Sequence, residues 1–118
     1  MAKNITQTKI SNRDTQIPHL LKKELEATFE NDIFNIILFG SRSIGKASKN
    51  SDYDIHLVLK LLNYDWKLKD EIIDEIYDIE LENDVLFDLH VISDYEINNS
   101  LRGKQNIIQN ALSKGYYV

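Results

Sequence analysis

A compact apolar run, Ile33 to Phe39, stops abruptly at Gly40 and constrains this chain more than any other feature. It has the pattern of a strand covered on both faces. Asp52 to Leu59 then alternates, which predicts a second strand. Tyr53, Ile55, Leu57 and Leu59 share one face of it, and Asp52, Asp54, His56 and Val58 share the other. Val85 to Ile92 reads as a third strand, with Leu86, Asp88, His90 and Ile92 on one face. Tyr116, Tyr117 and Val118 fit a short edge strand. Helical spacing covers three segments. From about Thr15 to Glu30, the stripe is Ile17, Leu21, Leu25 and Phe29, with Pro18 in the first turn. Trp66 to Asn83 turns Ile72, Ile73, Ile76 and Ile79 inward, and Trp66 and Tyr77 are expected to pack against it. Leu101 to Lys114 carries Ile107, Ile108, Ala111 and Leu112, and Lys114-Gly115 reads as its stop. The order predicts an α/β (α+β) fold, a small mixed β-sheet flanked by helices. Residues 1–14 are expected to form a loose arm and residues 15–118 one domain.

Composition narrows the function classes. The formal net charge of −5 argues against an extensive nucleic-acid surface. It leaves room for a single nucleotide, whose charge metal ions can neutralise. There is no cysteine, which excludes disulfides and thiolate metal sites and fits a cytoplasmic protein. No apolar stretch reaches the roughly 18 residues of a membrane span.

The chemistry lies between the first two strands. At Gly40 the absence of a Cβ lets a large ligand approach the backbone. The Ser41 hydroxyl and the following N–H groups can donate to phosphate oxygens, and Arg42 can add charge. Asp52 and Asp54, two residues apart on a strand, point the same way. Their mutual repulsion is relieved by a cation, and all-oxygen ligands suit magnesium or manganese. Asp88, set between Phe87 and Leu89, is costly to bury unpaired. If its strand lies beside the second, three carboxylates converge and can hold two metal ions.

The ordered set Gly40, Ser41, Gly45, Asp52, Asp54 and Asp88 resembles the minimal nucleotidyltransferases of the DNA polymerase β-like superfamily. The resemblance covers about residues 15–118. It implies a polymerase β-like fold with Gly40, Ser41, Arg42 and Gly45 at the phosphates. Asp52, Asp54 and Asp88 would be the catalytic, metal-binding carboxylates, with two Mg2+ ions expected and Mn2+ as the alternative. The implied reaction transfers a nucleoside monophosphate, AMP from ATP or its equivalent from another NTP, to a hydroxyl. Larger relatives present the acceptor on a second domain, so here it is expected from another chain. Minimal members often pair with a helical HEPN-type toxin, which the nucleotidyltransferase, as antitoxin, modifies with AMP. A homodimer is also expected. Two positions depart from the family pattern: Ile44 stands where many members carry a basic residue, and His56 where an apolar one is usual.

His56 and His90 each follow an Asp by two residues on the same face. They read as hydrogen-bonded core or supporting histidines. The sharper alternatives are a metal ligand or a proton acceptor. Two other functions stay open. One is a catalytically weak nucleotide-binding module that masks a partner. The other is a metal-dependent hydrolase using Asp54, His56, Asp88 and His90.

Overall fold

The structure is a computed structural model that describes residues 12–44, 52–60 and 65–118. Most of the expected N-terminal arm lies outside these residues. Helix α1 spans Asn12–Phe29 and a 3₁₀ turn, Glu30–Asp32, leads into strand β1, Ile33–Phe39. A second 3₁₀ turn, Gly40–Ile44, follows. Strand β2 is Tyr53–Leu59, helix α2 is Trp66–Asn83 and strand β3 is Phe87–Ser93. Short helix α3, Asp94–Asn99, a turn at Arg102–Lys104, helix α4, Asn106–Lys114, and strand β4, Tyr116–Tyr117, complete the described chain.

The result is an α+β fold with a four-stranded mixed sheet in the order β3-β2-β1-β4. β1 runs antiparallel to β2 and to β4, and β2 runs parallel to β3. A parallel pair needs a long crossover, and α2 supplies it. Its start is fixed by Asp65, whose side chain accepts from Leu68 N at 2.7 Å. Its end is the left-handed residue Asp84, φ 52°.

The alternation of β2 divides the core in two. Tyr53, Ile55, Leu57 and Leu59 face α1 and α2 in a cluster that includes Leu21, Leu25, Phe29, Ile72, Ile76 and Ile79. On the opposite face Ile37, Val58 and Ile92 pack against Ile108 of α4. That smaller cluster reaches only one end of the strands. The other end of the same face carries Asp54, His56, Asp88 and His90.

Several expectations need correction. α1 starts at Asn12, so Pro18 lies in the helix interior rather than in its first turn. The segment expected as one helix from Leu101 has its own element before it, α3, and only Asn106–Lys114 of the expected span is α-helical. The extra helix is started by a capping box, Ser93 Oγ accepting from Glu96 N and Glu96 Oε1 from Ser93 N, both at 3.1 Å. Trp66, Tyr77, Ile73 and Ile107 are exposed rather than packed. Gly115 does end α4, but with φ −73° it is extended and not left-handed. What demands glycine there is close approach: a Cβ would fall 2.3 Å from Ile37 Cγ2. No described helix is long and apolar enough to cross a membrane.

The division of the core sets the first prediction. Ile55 is fully buried against both helices. Ile55→Ala is expected to lower the unfolding free energy by about 2–5 kcal/mol in urea denaturation. Phe34→Ala, at an exposed position of β1, changes it by less than about 0.5 kcal/mol.

Candidate active site

Gly40 leaves β1 with φ +76°, a conformation that side chains disfavour. A Cβ on it would lie 3.4 Å from both Cβ and Oδ2 of Asp54. The glycine turn and the Asp54 carboxylate are thus in contact distance, as expected from Phe39 pairing with Asp54 across β1 and β2. The Ser43 hydroxyl donates to the Gly40 carbonyl at 2.7 Å and tightens the turn. Ser41 is exposed beside it. Gly45 lies outside the described residues, as does the side chain of Ile44.

Asp54 and Asp88 are register partners in the parallel β2–β3 pair, and His56 and His90 are the next partners along. Residues opposite one another on neighbouring strands point to the same face, so the two Asp-x-His sequences form adjacent rows. Asp54 is half-buried, with its side chain 25% exposed, and Asp88 is more open at 61%. Asp52 is exposed, one residue before β2.

The two imidazoles stack, with centroids 4.5 Å apart and planes 11° from parallel. Phe39 meets the His56 ring edge-on at 6.2 Å. Asp54 Oδ1 lies 3.5 Å from His56 Nε2 and 3.7 Å from His90 Nε2. A further 3.7 Å separates His90 Nε2 from Asp88 Oδ2. These separations exceed the 2.7–3.2 Å usual for an N–H···O bond. Asp54 Oδ1, His56 Nε2 and His90 Nε2 are all buried with no hydrogen-bond partner among the described residues. The expectation that both histidines are satisfied core groups therefore fails at Nε2. Buried orphan polar atoms are rare, and a cation is one physical reason for them. Asp54, His56 and His90 are close enough together to share a metal ion. Of the three expected carboxylates, only Asp54 belongs to that group. Asp88 borders it through His90.

Arg42 is not where the sequence suggests. It is 3% exposed, and its Nη1 donates to Asp14 Oδ1 of α1 at 2.8 Å. Its guanidinium carbon sits 3.9 Å from the Tyr53 ring centroid, within cation–π range. A guanidinium desolvated and paired in this way anchors the turn to α1 and to β2 rather than facing a phosphate. Asp14, which the sequence assigns to the arm, is the residue that makes this possible.

Removing one partner of a buried pair strands the other charge. Arg42→Ala and Asp14→Ala are each expected to cost about 3–5 kcal/mol in chemical denaturation. The double change Asp14→Leu/Arg42→Met recovers most of that loss, since apolar replacement of both partners is often neutral.

Comparison with known proteins agrees with this geometry. No curated protein matches the chain. A family model does, that of the polymerase beta nucleotidyltransferases, over residues 20–113. The matched span runs from α1 through both carboxylate strands into α4, so the chain belongs to the polymerase β nucleotidyltransferase family.

Proposed function

We propose that the chain transfers a nucleoside monophosphate, AMP from ATP, to a hydroxyl acceptor. The observation that carries this reading is the close approach of Gly40 to Asp54, with Asp88 beside Asp54 on the next strand. A glycine turn against a carboxylate brings a backbone suited to phosphate next to an oxygen suited to a cation. Ser41 donates its hydroxyl to a phosphate oxygen, and Gly45 lets the loop backbone approach the same group. Asp52, Asp54 and Asp88 hold divalent ions, Mg2+ or Mn2+, through oxygen donors. Asp54 Oδ2, which lies beside the Gly40 turn, and the adjacency of two like charges are the features that fit a cation there. Such ions, when bound, neutralise the triphosphate and acidify the attacking hydroxyl. The acceptor oxygen bonds to the α-phosphorus, the bond from that phosphorus to the bridging oxygen breaks, and pyrophosphate leaves. Asp88, the more open of the two strand carboxylates, receives the hydroxyl proton.

The acceptor we favour is a hydroxyl on a helical HEPN-type partner, with this chain as the antitoxin. The support is the resemblance to minimal family members, together with a net charge of −5 that suits a basic partner. The absence of cysteine is compatible with a cytoplasmic setting. A second reading, a nucleotide-binding module that acts by masking its partner, is favoured by one observation. Arg42 is committed to Asp14, which leaves one cation fewer for the phosphates.

Incubation with labelled ATP, Mg2+ and the product of the neighbouring gene separates the two. Transfer places label on the partner, and Asp52→Asn or Asp54→Asn lowers the rate by at least about 100-fold, equivalent to about 2.7 kcal/mol of transition-state stabilisation. No label on protein or small molecule overturns transfer. Full protection from the partner by the Asp52→Asn/Asp54→Asn double variant establishes masking.

A further inference from the structure

The three carboxylates of the proposed reaction do not account for the two histidines. His56 is 3% exposed at its side chain, and its Nε2 is aimed at Asp54 Oδ1 without a hydrogen bond to it. His90 Nε2 is aimed at the same oxygen and is also orphaned. We propose that Asp54, His56 and His90 form a distinct binding site for a transition-metal dication of the zinc class.

Spacing is the first argument. Four ligands around a zinc ion at bond lengths of about 2.0–2.1 Å stand roughly 3.3–3.4 Å from one another in tetrahedral geometry. The two nitrogen–oxygen separations, 3.5 and 3.7 Å, are long for hydrogen bonds and close to this ligand–ligand distance. The three donor atoms lie within 4.8 Å of one another, so a modest closure of the side chains and a tilt of the stacked rings bring them onto one ion.

Donor chemistry is the second. Two imidazole nitrogens and one carboxylate oxygen are borderline ligands that suit zinc and its neighbours, whereas magnesium selects an all-oxygen set. Hydrogen bonding explains the cluster poorly. One oxygen would have to serve two rings at non-bonding distances, and two charged rings stacked at 4.5 Å would repel.

The third argument is how Asp54 divides its oxygens. Oδ1 faces the histidines, while Oδ2 lies by Gly40. The carboxylate therefore has one oxygen for the histidine site and one for the nucleotide side. With three protein ligands the ion would keep an open position, as zinc does outside purely structural sites. Asp88, beside His90, borders it.

The site shares Asp54 with the proposed reaction, but its test needs no nucleotide. The full chain is stripped with chelator, dialysed against Zn2+ alone and assayed for retained metal, with Co2+ as a spectroscopic probe. The wild type is expected to retain about one zinc per chain and to develop a visible cobalt absorption band. His90→Ala, a change at a partly exposed side chain, is expected to weaken zinc affinity at least about tenfold, while Asp52→Asn keeps it. Zinc should also raise the melting temperature of the wild type but not of His90→Ala, which reads the site in folded protein. His56→Asn should match His90→Ala. Failure of the wild type to hold zinc, or equal zinc affinity in both histidine variants and the wild type, overturns the proposal. Loss of nucleotidyl transfer without loss of zinc would sink the reaction and leave this site standing.

Discussion

Everything in the site depends on the parallel register of β2 with β3. Asp54 against Asp88 and His56 against His90 is one alignment among several that two apolar strands permit. A slip of one residue would turn Asp88 and His90 to the opposite face and drive them into the large core. Parallel strands have no hairpin turn to set their alignment. Here the crossover fixes it through hydrogen bonds at the start of β3. Val85 N donates to Glu80 O at 3.2 Å, just past the left-handed Asp84. Phe87 N donates to Glu80 Oε2 at 2.8 Å, and Tyr53 N to Leu86 O at 2.9 Å. Glu80, on the last turns of α2, thus ties the helix end to the first residue of the strand.

The sheet's two faces are filled unequally, and this leaves space for chemistry. One face is closed by two long helices over four alternating residues of β2. The other is covered by α4, whose nine residues reach Ile37, Val58 and Ile92. Beyond them the strands continue with acidic and imidazole side chains. A longer covering helix would have required apolar residues at 54, 56, 88 and 90. Large stabilising burial on one face allows the other to carry adjacent carboxylates and orphaned nitrogens.

How far this could be read from the sequence differs by element. β1 and α2 fall at their expected bounds, since one is an uninterrupted apolar run ended by Gly40 and the other a long periodic stripe. The faces of β2 follow from alternation alone. α3, only six residues long, shows no periodic stripe, and its one local cue is the capping box, Ser93 followed three positions later by Glu96. The pairing of Arg42 with Asp14 is not local: the partners are 28 positions apart, and nothing at either residue names the other. The histidines lie between these cases. Their common face is legible in the repeated Asp-x-His, but whether each Nε2 finds a partner depends on the β2–β3 register, which periodicity does not encode.

The carboxylate at position 54 joins these levels. Its Oδ2 lies 3.4 Å from where a Cβ at residue 40 would stand, an ordinary van der Waals contact, so it is the φ of +76° that favours glycine there. Its Oδ1 is the atom that both orphaned imidazoles approach. Directly beneath, Tyr53 carries the Arg42 guanidinium that holds the glycine turn to α1. Consecutive residues of β2 therefore serve opposite faces of the sheet. Tyr53 secures the turn from the packed side, and Asp54 meets the turn on the open side. Strand alternation converts an anchoring contact and a ligand-facing contact into neighbours in sequence. Because both act on the same five-residue turn, its position relative to the carboxylates is fixed from two directions before any ligand arrives.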